Sequence, residues 1–143
     1  MKKSSREQQP KEAEGKRGPQ PLIAIVDDDE SVREALQSLL KSMGLRAEGF
    51  VSAEDFLHSA PLPDTTCLIL DVRMPGMGGL ELQRQLAADE RRIPIIFITA
   101  HGDEDTRARA LQAGAVDFLA KPFSEEALLT AVHVALEDGR DDA

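Results

Sequence analysis

"LILDVRMPGMGG", residues 68–79, is an apolar run that ends in an acid and breaks at once into Met-Pro and three glycines. The run shows no polar–apolar alternation, which is the pattern of a strand buried on both faces of a parallel sheet. Asp71 then sits where the strand gives out. Working outward, "LIAIV" (22–26), "RAEGF" (46–50) and "IPIIFIT" (93–99) are further strands, "CLILDV" (67–72) bounds the quoted one, and "VDFLA" (116–120) is the fifth.

Helical spacing fills the gaps between them. Val32, Leu36, Leu39, Leu40 and Met43 recur on one helix face, with Ser31 or Asp29 as N-cap and Gly44 as stop. Ser52 opens a short helix through about Ser59. Leu82 and Leu86 share a face of a helix over 80–88, and a fourth helix runs from Glu104 to Ala113 and stops at Gly114. Ser124 opens the last, to about Glu137, with Gly139 just beyond. Five strands alternating with five helices give an α/β, doubly wound parallel sheet. Right-handed crossovers favour the flavodoxin-like (βα)5 strand order 2-1-3-4-5.

With 143 residues the chain suits one domain. Residues 1–20 carry six Lys/Arg against three Glu and no apolar period, so they read as a disordered basic tail. The domain itself is assigned to 21–138, and 139–143 to a short acidic tail. The formal net charge of −9 falls wholly on the region after the basic tail. An acidic domain is a poor binder of the DNA backbone, so no direct DNA contact is expected. No apolar stretch reaches membrane-span length and the N-terminus is polar, which leads to the expectation of a cytoplasmic protein with no membrane partner. The lone cysteine, Cys67, excludes an internal disulfide and reads as a small core residue.

In a sheet of this order, chemistry gathers beyond the carboxyl ends of the strands. Strand 1 ends in Asp27-Asp28-Asp29-Glu30, strand 3 in Asp71, strand 4 in Thr99, and strand 5 in Lys121-Pro122. Taken singly, each has an ordinary reading as a cap, a strand-end hydroxyl or a solvated charge. Taken together, Asp27, Asp28 and Asp71 would repel one another unless a cation sits among them. Oxygen ligands of such charge density suit Mg2+, or Mn2+. Asp71 is then placed as a nucleophile, with Thr99 and Lys121 on the oxygens of an incoming phosphoryl group.

Residues 21–137 resemble the receiver domain of bacterial two-component response regulators. "VDDD" with Arg33 beyond it, "DVRMPGMGG", "ITA" and "DFLAKPF" occur in order. "FVSAEDFL" and "ITAHGDEDTRARALQAGAVDFLAKPF" are similar to the FixJ-type branch. The resemblance implies that Asp71 is the phospho-acceptor, Asp28 a direct metal ligand, Asp27 a water-mediated one, and Arg73 the donor of a backbone carbonyl to the metal. It also implies phosphoryl contacts from Thr99 and Lys121, a switch formed by Thr99 and Phe118, and a cis Lys121-Pro122 bond. The implied partners are a histidine kinase or phosphotransfer protein, then a phosphorylation-dependent homodimer or protein target. Two departures stand out. Gly78 replaces a residue that is often polar, which leads to a looser loop after Asp71. The chain also ends at "EDGRDDA", where an output domain usually follows, so it is either a stand-alone receiver or a piece of a longer regulator.

A magnesium-dependent phosphohydrolase with an aspartate nucleophile usually carries a second acid soon after the nucleophile, and here Val72 and Arg73 follow Asp71. A phosphorylation-independent interaction module has no need of the full acid–Thr–Lys set. His101, two residues past Thr99, suits control of water access better than metal ligation in so hard a site. On a wheel of the last helix, Leu128, Ala131, Val132 and Ala135 face the sheet, while Leu129, His133 and Leu136 form an adjoining flank. That flank is either a wide core stripe or the output surface of helix 4, strand 5 and helix 5.

Overall fold

Strand β1, Leu22–Val26, is buried along its whole length and lies second in a five-stranded parallel sheet. A computed structural model describes residues 21–59, 64–100 and 103–141 of the chain, with side chains described as far as residue 137. After β1 come α1 (Glu30–Ser42), β2 (Arg46–Phe50), α2 (Ala53–Leu57) and β3 (Thr65–Asp71). Then follow α3 (Gly79–Ala88), β4 (Ile95–Thr99), α4 (Glu104–Gln112), β5 (Asp117–Ala120) and α5 (Glu125–Asp141). The sheet order is β2-β1-β3-β4-β5, which is the 2-1-3-4-5 order expected from the sequence.

The three central strands bury both faces because alternate side chains enter separate cores. Ile23, Ile25, Cys67, Ile69, Ile96 and Ile98 point to the side covered by α1 and α5. Ala24, Val26, Leu68, Leu70, Ile95 and Phe97 point to the side covered by α2, α3 and α4. Cys67 is fully buried, and burial pushes its thiol pKa up to about 12, so it is an inert core residue.

The sequence-expected boundaries shift in explicable ways. Asp29, the second of the two candidates, is the N-cap of α1: its Oδ1 accepts from the Ser31 and Val32 amides at 2.9 and 3.4 Å, so Ser31 lies inside the first turn. Gly44 ends that helix at φ +80°, with Gly44 N–H donating to the Lys41 carbonyl and Leu45 N–H to that of Leu40. Helix α3 ends on the same bond pattern, but Glu90 holds the left-handed position at φ 61°. At the other end, α5 continues to Asp141, through Gly139 and past the expected stop at Glu137. The basic tail, His101 and the last two residues lie outside the described residues. Among the described residues, no helix is long and apolar enough to cross a membrane.

Candidate functional site

Strand register builds the site. Val26 pairs with Leu70, so Asp27 and Asp71 emerge one step later at adjacent strand ends. Asp71 itself pairs with Ile98, and Thr99 with Ala120, which brings Thr99 and Lys121 to the same rim. Asp27 (0% exposed), Asp71 (6%) and Thr99 (1%) are buried, while Asp28 is exposed. One carboxylate oxygen from each of Asp27, Asp28 and Asp71 lies within 4.8 Å of the others.

Lys121 bridges the two buried acids. Its Nζ donates to Asp27 Oδ2 at 2.9 Å and lies 3.6 Å from Asp71 Oδ2. Desolvation opposes the ammonium, yet the hydrogen bond to Asp27 and the charges of Asp71, Asp27 and Asp29 outweigh it and hold its pKa above the usual lysine value. Burial raises the Asp71 carboxyl to about 6, and the neighbouring Asp27 charge adds to this. Lys121 and the Arg73 backbone N–H pull the other way. One ammonium thus bridges two buried carboxylates with a third, Asp28, beside them, an arrangement with room for a further positive charge. All the donors are hard oxygens, as magnesium prefers, so the residues fit such an ion.

The backbone around the acids is closely tied. Asp27 Oδ1 accepts the Asp29 amide at 2.9 Å, and Asp71 Oδ1 accepts that of Arg73 at 3.4 Å. The Lys121 N–H donates to the Thr99 carbonyl at 2.8 Å, and the Lys121-Pro122 bond is cis. Sequence reading expected Gly78 to loosen the loop after Asp71. In the structure, three bonds hold that loop: Met77 N–H to Glu54 Oε2 and Gly78 N–H to Glu81 Oε1, each at 3.0 Å, and Gly79 N–H to the Val72 carbonyl at 2.9 Å. Gly79 is required there, since a Cβ would lie 2.5 Å from the Asp71 carbonyl oxygen. Glu54 carried no signal in the sequence, because its partner is a loop amide 23 residues away, whereas Glu81 sits at the local N3 position of a helix capped at Gly78.

Phe118 faces the α3–α4 side, 8% exposed, with its ring centroid 6.1 Å from that of Phe97. On α5, Leu128, Ala131, Val132 and Ala135 are buried as expected. Leu129 and Leu136 are half-buried and pack against the same core, whereas His133 is exposed.

A five-stranded doubly wound sheet with three acids, a threonine and a lysine on one rim defines a phospho-accepting signalling domain rather than a conventional enzyme. Residues 23–133 match the response regulator receiver domain family, and the chain belongs to that family. It is 53% identical over 116 residues to the response regulator protein TmoT of Ectopseudomonas mendocina, covering 81% of this chain and 53% of that protein. The chain thus spans about half the length of the curated relatives it matches. Among solved structures, response regulator StyR superposes with a TM-score of 0.79 at 50% identity, covering 87% of this chain and 63% of that one. FixJ-N gives 0.74 at 41% identity, covering 83% and 95%.

Proposed function

We propose that this receiver takes a phosphoryl group onto Asp71 from the phosphohistidine of a histidine kinase or phosphotransfer protein. An Asp71 carboxylate oxygen attacks the phosphorus, the P–N bond breaks, and its electron pair leaves with the imidazole. Asp27, Asp28, Asp71 and the Arg73 carbonyl would hold Mg2+, which when bound screens the phosphoryl oxygens and the acids from one another. Lys121 would meet the same oxygens and favours the ionised form of Asp71 against the pull of burial. Thr99 would donate its hydroxyl to a phosphoryl oxygen.

The observation that carries this reading is the 4.8 Å cluster of Asp27, Asp28 and Asp71 with Lys121 bridging its two buried members. Phosphorylation would then bias an existing equilibrium of the α4–β5–α5 surface through Thr99 and Phe118, toward a homodimer or a protein target. Incubation with magnesium and acetyl phosphate, followed by intact mass measurement, tests the reading. Wild type gains one phosphoryl group and Asp71→Asn, whose amide is a poor nucleophile, gains none. Equal gain by the variant would remove Asp71 from the role.

A further inference from the structure

Asp27 is fully buried, and all four of its polar atoms are held. Its N–H donates to the Phe50 carbonyl at 3.2 Å, Oδ1 accepts the Asp29 amide, and Oδ2 accepts Lys121. The fourth, its carbonyl oxygen, accepts Arg33 Nη1 at 2.8 Å. Arg33 reaches it from the first turn of α1, and its own amide is bonded to the Asp29 carbonyl at 3.1 Å. The path crosses edge strand β2 at Gly49. A Cβ there would lie 3.3 Å from Arg33 Cδ and 3.2 Å from Gln37 Oε1. Glycine is a poor strand residue unless something must approach closely, and here the approaching group is the Arg33 stem.

We infer that Arg33 is a positioning residue for the divalent cation: by gripping the Asp27 carbonyl it sets the peptide that aims Asp28, and Gly49 keeps its path open. The Asp27 carbonyl and the Asp28 amide belong to one planar unit, so a bond on the first fixes the second. Asp28 is exposed, unlike the buried Asp27 and Asp71. The peptide before it, held by Arg33, thus bears directly on where its carboxylate points. Charge alone would not demand this geometry; a planar, long-reaching donor does.

The inference rests on the magnesium reading of the site, and the experiment separates the two. Magnesium chloride is titrated calorimetrically into the metal-free full chain of wild type, Arg33→Met, Arg33→Lys and Gly49→Ala. Arg33→Met is expected to bind magnesium about tenfold more weakly, in the range typical of lost supports behind metal ligands. Arg33→Lys, with the charge but not the reach, stays closer to Arg33→Met than to wild type. Gly49→Ala moves the same way by a smaller factor. The magnesium concentration that half-saturates phosphoryl transfer from acetyl phosphate rises in the same order. Unchanged affinity in Arg33→Met, including the case of a lowered metal-free melting temperature alone, overturns the inference and leaves the magnesium site standing. Full recovery in Arg33→Lys also overturns it, assigning the effect to charge. If wild type takes up no magnesium, the reading of the site falls and the inference falls with it.

Discussion

The Lys121 ammonium lies between Asp27 and Asp71, 2.9 Å from one carboxylate and 3.6 Å from the other. Removing it leaves two buried acids facing each other. Lys121→Met should therefore cost about 1–3 kcal/mol in chelator, less than a fully enclosed pair would, because the lysine side chain is 19% exposed. Saturating magnesium should restore much of this loss, since a second cation can take over the compensation. Urea unfolding with chelator and with magnesium measures both quantities. Phosphoryl transfer should remain about 10²-fold slower even with magnesium, because the contact to the transferring oxygens is gone.

Metal-free stability should depend on pH through Asp71. Its carboxyl is raised to about 6 in the fold, so the folded state holds a proton that the unfolded chain has already released. Unfolding free energy must then fall as pH rises from about 4 through 6, and the contribution levels off above that. Discounted for solvent screening, the fall is about 1–2 kcal/mol. Denaturation at stepped pH in chelator should show it in wild type, and Asp71→Asn should lack it. A wild-type profile that rises through this window after subtraction of the variant would contradict the buried-acid account.

Asp28 offers the exposed oxygen of the acid cluster, so its removal should affect the cation more than the fold. Asp28→Ala should melt at or slightly above the wild-type temperature in chelator, because one repelling charge is gone. Its magnesium-induced stabilisation should shrink by about 1.4 kcal/mol for each tenfold loss in affinity. Thermal melts across a magnesium series give both values. Equal shifts in the two proteins would exclude Asp28 as a ligand.

The sheet was legible in the sequence because its signals are local and periodic: continuous apolar strands, helical spacing, and Gly44 and Gly114 just past helix ends. The acids and Lys121 were legible as well, since strand order alone brings strand ends to one rim. Other features depended on distant pairings. Nothing in Glu54 foretold that it would bind the Met77 amide, and Glu90 ends α3 in a conformation for which glycine is the usual sign. The continuation of α5 through Gly139 overrode a local stop signal. Arg33 was visible only as a residue following the acids. The one hint of its reach was a glycine next to last in β2, which acquires meaning once α1 is laid across it.

The flank of α5 separates packing from signalling. Leu129 and Leu136 are half-buried against the α1–α5 core, while His133 is exposed; Val134, 43% exposed, points away from this flank. Glutamate at Leu129 or Leu136 should thus cost about 1–3 kcal/mol through the burial of a charge beside apolar neighbours. At His133 or Val134 it should change stability by about 0.5 kcal/mol or less. His133 is therefore the cleaner probe of this flank, with Val134 as a control off it. Beryllofluoride with magnesium, which mimics the phosphoryl group, should promote self-association or target binding, and His133→Glu should block it while Asp71 still gains phosphoryl mass, whereas Val134→Glu, turned away from Leu129 and Leu136 on the helix, should not. Sedimentation of the four variants with and without beryllofluoride decides the matter. If His133→Glu associates as wild type does, the Leu129–His133–Leu136 flank serves only the core, and the output surface must lie elsewhere on α4, β5 and α5.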